Sequence, residues 1–223
     1  MLKIDEYVLP SPQQWAIVIK GMRNPLNSWD KSDSYTTSVV DTETGTVVPH
    51  EFFIGEADHQ LMITLGGAGS SHAKYRRMLP VFVTINAPLY WWKEFDTYKV
   101  GTVANSCSTM HKIHSKEFTL DDFSHEHLPY ADRVGVLMST INALNLNREM
   151  YLNSNCRNKT FWWNMIQLLP CSYNQRRTVM LNYDVLKNIY HDRRAHKLDE
   201  WHTFCDWIEH LPYSELIVGA QDD

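Results

Sequence analysis

The sequence has no apolar run long enough to cross a bilayer, which excludes a helical membrane span. Cysteine is sparse: Cys107, Cys156, Cys171 and Cys205 stand far apart with no C-x-x-C pair. That spacing argues against a zinc ribbon and a disulfide framework, and the four read as reduced thiols. Charge of one sign is also lacking, because a formal net charge of −5 gives no broad basic face for nucleic acid. The start "MLKIDEYVLP" has no basic, apolar and small-residue succession of a secretion signal, which predicts a cytoplasmic protein. Internal repeats and low-complexity linkers are missing too.

What is present is ordinary for a globular chain: 223 residues, 43% hydrophobic and 21% charged, with nine glycines and nine prolines. Single cores begin to split only beyond about 250 residues, so one domain over 1–223 is expected. Residues 2–9 read as an edge strand, and Ser11 followed by Pro12 reads as the cap and first position of a helix. The Ser- and Thr-rich stretch 26–55, with Gly45 and Pro49, reads as loop. Gly66, Gly67 and Gly69 end a helix and precede a new capped one near 70–77. "LPVFVTINAP" (79–88) is a β-branched strand stopping at a proline.

The second half is helical in pattern. Leu137, Ile141 and Leu144 set one apolar stripe on a long helix, and Trp201, Phe204, Cys205, Ile208 and Leu211 set another on a final amphipathic helix. "FWWNMIQLLP" (161–170) is a short apolar helix, and Asn182 is placed to cap the helix that follows it. The expected fold class is α+β, mostly helical with a small mixed or antiparallel sheet.

Several candidate chemistries meet plain alternatives. His111, His114, His125 and His127 lack a helical zinc pair and lie in a loop pattern, so no metal is assigned. Gly66-Gly67-Ala68-Gly69 lacks the Lys-Ser/Thr ending of a phosphate loop. Cys107 has no base beside it beyond sequence-near His111 and reads as an incidental thiol. Arg176, Arg177, Arg193 and Arg194 are better placed: guanidinium groups suit bidentate capture of phosphate, and Tyr173 and Tyr183 offer faces for a ring. Taken alone they also read as a solvated basic face on two helices.

Order and spacing tip that balance. From Leu79 to Pro212 the chain resembles the flavin-dependent thymidylate synthases. In that family a strand ends in Ala-Pro, a helix follows, and the signature Arg-His-Arg-x-x-Ser-x-Asn-Glu-x-Ser-x-Arg-Tyr comes next. Here Ala87-Pro88 opens the same register, and Leu169-Pro170, Arg176, Asn182, Asp192-Arg193 and His196 through Trp201 resemble its second half. The signature itself is rewritten. Its Arg-His-Arg falls on Thr97-Tyr98-Lys99, its first Ser on Thr102, its Asn-Glu on Ala104-Asn105, its second Ser on Cys107 and its Arg-Tyr on Thr109-Met110.

The resemblance implies a homotetramer that binds FAD at subunit junctions, takes hydride from NADPH, and moves a one-carbon unit from methylenetetrahydrofolate to the uracil ring of a deoxyuridylate. Carried over by position, Thr102 and Lys99 take the catalytic places, and Arg176, Arg193 and Asn105 face the nucleotide. Asn182, Tyr98 and His196 face the flavin. Two arginines lost from the signature remove charge-assisted bonds worth about 1.5–3 kcal/mol each. A second reading is therefore an inactive homologue that binds or sequesters a nucleotide. The aromatics Tyr90, Trp91, Trp92, Trp162 and Trp163 are expected to build core rather than stack on a cofactor.

Overall fold

The structure is a computed structural model and describes residues 1–219. Its frame is a four-stranded antiparallel sheet of β1 (Lys3–Val8), β4 (Pro80–Pro88), β6 (Asn174–Asn182) and β5 (Val103–Ser106), in the order β1-β4-β6-β5. β4 and β6 pair without a bulge from Pro80 opposite Asn182 to Pro88 opposite Asn174. Strand alternation then sends Val81, Val83, Ile85, Val179 and Leu181 to one buried face. It sends Phe82, Arg176 and Thr178 to an uncovered one.

Helices fill the buried side. α1 (Pro12–Arg23) starts at a full capping box: Ser11 Oγ accepts from Gln14 N, and Gln14 reaches back to Ser11 N. α4 (Leu89–Phe95) leaves β4 at Pro88, and its Trp91, Trp92 and Phe95 are fully enclosed. Across from them, α8 (Asp199–Glu209) supplies Trp201 and Phe204, with the Trp91 and Trp201 rings 4.7 Å apart. Such aromatic pairs add about 0.5–1.5 kcal/mol beyond their buried area. α7 (Tyr183–Arg193) begins directly at the end of β6, where Asn182 Oδ1 accepts from Asp184 N and Val185 N, both at 3.1 Å. α9 (Glu215–Val218) closes the same layer.

A second, smaller core lies under α5 (Ala131–Asn153) and α6 (Lys159–Leu168). The stripe Leu137, Ile141 and Leu144 meets Phe118, Phe123, Met165 and Tyr173, as its spacing predicts. None of the described helices is long and apolar enough to cross a membrane.

Four expectations need correction. The stretch 26–55 is not all loop: β2 (Tyr35–Val40) and β3 (Val47–Phe53) form an antiparallel hairpin ahead of α2 (Glu56–Gly67). Valines stand exposed along that hairpin, so burial leaves no alternation in the sequence to read. The helix expected near 70–77 is only one turn, α3 (Lys74–Arg77), without a side-chain cap. Arg176 and Arg177 sit on strand β6 and not on a helix. Trp163 is 50% exposed on α6, whereas Trp91 and Trp92 are core as expected.

Candidate functional site

The segment after α4 turns sharply at Gly101, whose φ of +79° lies in the left-handed region open to glycine. A Cβ there would come within 3.0 Å of Asn182 Nδ2 and 3.2 Å of Val185 Cγ2. The chain therefore passes hard against the start of α7, and this approach sets Thr102 and Lys99 beside Tyr98. Together with Phe95, Asp96 and Ala104 these three line a groove of about 270 Å3. The Thr102 Oγ1 is buried with no hydrogen-bond partner, and the Lys99 ammonium makes no ion pair among the described residues. An orphaned buried hydroxyl costs roughly 1–3 kcal/mol, so Thr102 is an unsatisfied donor at the groove wall whose hydroxyl must turn outward to meet a ligand.

Glu94 is the hub behind that groove. Its Oε2 accepts from Arg193 Nη1 at 3.1 Å and from Trp201 Nε1 at 2.8 Å, and lies 3.4 Å from His196 Nε2. His196 Nδ1 accepts from Leu198 N at 3.2 Å, which puts the ring proton on Nε2, facing the carboxylate. Arg193 also donates from Nε to Tyr98 Oη at 3.0 Å, while its guanidinium lies 5.0 Å from the Trp201 ring. Tyr98 in turn donates to Asp192 Oδ2 at 3.1 Å. Burial raises the Tyr98 hydroxyl pKa, partly offset by the Arg193 charge beside it, so the phenol stays a neutral donor. A second tie holds the frame: Tyr90 Oη donates to the buried Glu200 carboxylate, linking α4 to α8.

The two sequence-adjacent arginines divide between the faces of the sheet. Arg177 points to the α4 side, donating to Asp96 Oδ1 at 2.7 Å and lying 4.3 Å over the Trp92 ring. Those bonds occupy it structurally. Arg176 points the other way and is 58% exposed, 3.5 Å from Asp5 and 3.7 Å from Glu6. It shares a polar hollow of about 230 Å3 with Asn86, Cys107, Lys116 and Tyr173. Burial first, then the nearby Cys107 and Asp122, push the Tyr173 hydroxyl up to about 12. Asn105 stands opposite Thr178 on β5 and so shares the Arg176 face.

The sequence-derived residues thus fall into two sets. Tyr98, Lys99, Thr102, Arg193 and His196 come together, with Asn182 just beneath at the α7 cap. Arg176 and Asn105 lie on the opposite face of the sheet. Sequence reasoning missed Glu94 and the dual role of Trp201. Glu94 was visible as a lone acid between aromatics on a short helix, and Trp201 was read only as part of an apolar stripe.

No protein-family model matches the chain, and no curated protein matches it in sequence. Solved structures do share the fold. One is thymidylate synthase X (ThyX) from Helicobacter pylori with FAD and dUMP, at 16% identity and a TM-score of 0.64, covering 97% of this chain and 96% of that one. Another is the flavin-dependent thymidylate synthase ThyX of the same organism, complexed with FAD and dUMP, at 17% identity and a TM-score of 0.63, covering 99% of each chain. The chain is a single α+β domain with the ThyX fold.

Proposed function

We propose that the chain binds a pyrimidine deoxynucleotide of the dUMP class in the Tyr98–Lys99–Thr102 groove and acts as a flavin-dependent homologue of thymidylate synthase. The observation that carries this reading is that Lys99, whose ammonium makes no ion pair among the described residues, shares the groove with Thr102, whose hydroxyl has no partner among them. Lys99 offers a cation to a phosphate or a polarised carbonyl, and Thr102 adds one neutral donor once its buried hydroxyl turns outward, at the positions that the resemblance gives to the family's signature Arg and Ser. Arg193, bonded to Tyr98 Oη, would grip the nucleotide, and Tyr98 would bound the ring.

The residues suit a flavin ring in kind but not a whole FAD within one chain. A groove of about 270 Å3 takes one ring system and a phosphate. Tyr98 and His196 would hold the flavin, together with the Asn182 carboxamide, whose Oδ1 is spent on the α7 cap. A homotetramer would complete the enclosure, with Arg176 and Asn105 available from their own face to a neighbouring subunit's ligand. FAD, when bound, supplies hydride chemistry, with NADPH as reductant and methylenetetrahydrofolate as one-carbon donor for the uracil ring. The chain's own part is to orient the uracil, donate to its carbonyl oxygen from Thr102 or Lys99, and neutralise phosphate charge.

One observation favours the second reading, an inactive homologue that sequesters the nucleotide. The Glu94 carboxylate neutralises Arg193, lowering the positive field left for a reacting anion. Calorimetric titration with dUMP and with deoxyuridine tests the common element. Binding of dUMP that weakens at least about tenfold in Lys99→Met and on removing the phosphate supports the site. Equal affinity for both ligands, or none for either, counts against it. Thymidylate formation with the full cofactor set then separates the enzyme from the sequestering protein.

A further inference from the structure

Between α1 and the β2–β3 hairpin lies a second cavity, of about 250 Å3, which shares no lining residue with the Lys99 groove. Its walls are aromatic and individually braced. The Trp29 indole is pinned by its Nε1 donating to Asn24 Oδ1 at 2.8 Å. Tyr35 stacks on Phe53 with centroids 5.2 Å apart, and Phe52 lies parallel to Trp15. Braced walls of this kind lose little conformational freedom on receiving a flat ring.

The floor is charged. Arg23 is 4% exposed; its Nε donates to Asp58 Oδ1 at 2.5 Å and its Nη1 to Ser28 at 3.3–3.4 Å. Its Nη2 makes no hydrogen bond among the described residues, and the residue lines the cavity. Asp58 cannot turn to satisfy it, because Oδ2 is already held by the Ser32 hydroxyl, the Asp33 and Ser34 amides and the Ser34 hydroxyl. Lys20, on the last turn of α1, lines the same cavity and makes no ion pair among the described residues. Arg23 and Lys20 thus line the cavity, with the Asp58 carboxylate saturated behind Arg23. Two cationic side chains and three braced aromatic walls converge on a space that takes a small ligand.

We propose that this cavity binds a monocyclic aromatic carboxylate, with the ring against Trp29, Tyr35 and Phe52 and the carboxylate accepting from Arg23 Nη2 and Lys20 Nζ. The flat aromatic walls select a planar ring. The unspent cationic donors select an anion over a neutral or cationic analogue. With a volume of about 250 Å3, the cavity takes a small ligand of one ring and one anionic group.

Benzoate is the probe, titrated into the full chain by calorimetry beside cyclohexanecarboxylate and benzylamine. Saturable benzoate binding is expected, with clearly weaker binding of the saturated acid and none of the amine. Trp29 and Lys20 are both exposed, so Trp29→Leu and Lys20→Met should fold with unchanged thermal midpoints. Each is expected to weaken benzoate about tenfold, with dUMP binding unaltered. Absence of saturable benzoate binding, or benzoate affinity that neither variant changes, overturns the proposal. Because the dUMP titration reads a different groove, its failure would leave this result standing.

Discussion

Arg193 and Glu94 meet at 3.1 Å where the end of α7 approaches α4, and the same carboxylate oxygen takes the Trp201 indole N–H at 2.8 Å. The guanidinium, which also bonds Tyr98 of the groove, is thus held in place and partly neutralised by one acid. Position and charge are coupled there, and Glu94→Gln separates them, since the amide oxygen can still accept while the negative charge is gone. That substitution is expected to tighten dUMP binding by about three- to tenfold, because a competing anion leaves the neighbourhood of the phosphate. Weaker binding would mean that Glu94 serves Arg193 chiefly by positioning it.

The Thr102 hydroxyl is buried without a partner, so its isosteric removal has an unusual expected signature. Thr102→Val relieves an unsatisfied polar group and should leave the free protein as stable or more stable, by up to about 1–3 kcal/mol. Nucleotide affinity should fall in the same variant. Thermal melts with and without dUMP read both effects, and a loss of stability in the free protein would indicate that the hydroxyl is satisfied in solution.

Acid stability should depend on Asp58. Burial alone pushes its carboxyl up, but hydrogen bonds from Ser32, Ser34 and Arg23, with the Arg23 charge, outweigh that and hold it below the ordinary value. A lowered folded-state value contributes stability that is fully present above about pH 4 and is lost as pH falls through the native value. Denaturant midpoints taken from pH 7 down to pH 3 should therefore drop. Asp58→Asn should flatten that drop and cost about 3–5 kcal/mol at pH 7, because it strands the buried Arg23 charge. An unchanged acid slope in the variant would assign the loss to other carboxylates.

Thiol reactivity should divide the cysteines. Cys107, Cys156 and Cys171 are exposed, whereas Cys205 is enclosed between α7 and α8 and burial pushes its thiol up to about 12. A disulfide reagent at neutral pH should modify three thiols in the folded protein and the fourth only on unfolding. Rapid modification of all four would place Cys205 in a region that opens readily.

Elements with a strong local signal were legible in the sequence. Ser11 and Pro12 marked α1, the β-branched run 79–88 marked β4, Asn182 marked the α7 cap, and the stripes on α5 and α8 matched their buried faces. β6 was not legible, although it is central. Its inward residues are Gln175, Arg177, Val179 and Leu181, and two polar members of that set hide the alternation. Arg177 lies inward because Trp92 and Asp96 receive it, a tertiary fact no local pattern carries. The same limit applied to the groove. Tyr98, Lys99 and Thr102 followed from register, but Glu94 gained its role only when α4, α7 and α8 met around it.

The most direct test of the central claim is the visible absorption spectrum of the purified protein, recorded before and after loading with FAD and removing the excess on a sizing column, with and without dUMP. The account predicts a retained flavin band on a peak the size of an oligomer, perturbed by dUMP and lost or unresponsive to dUMP in Lys99→Met. A folded protein that retains no flavin and shows no response to dUMP would contradict it.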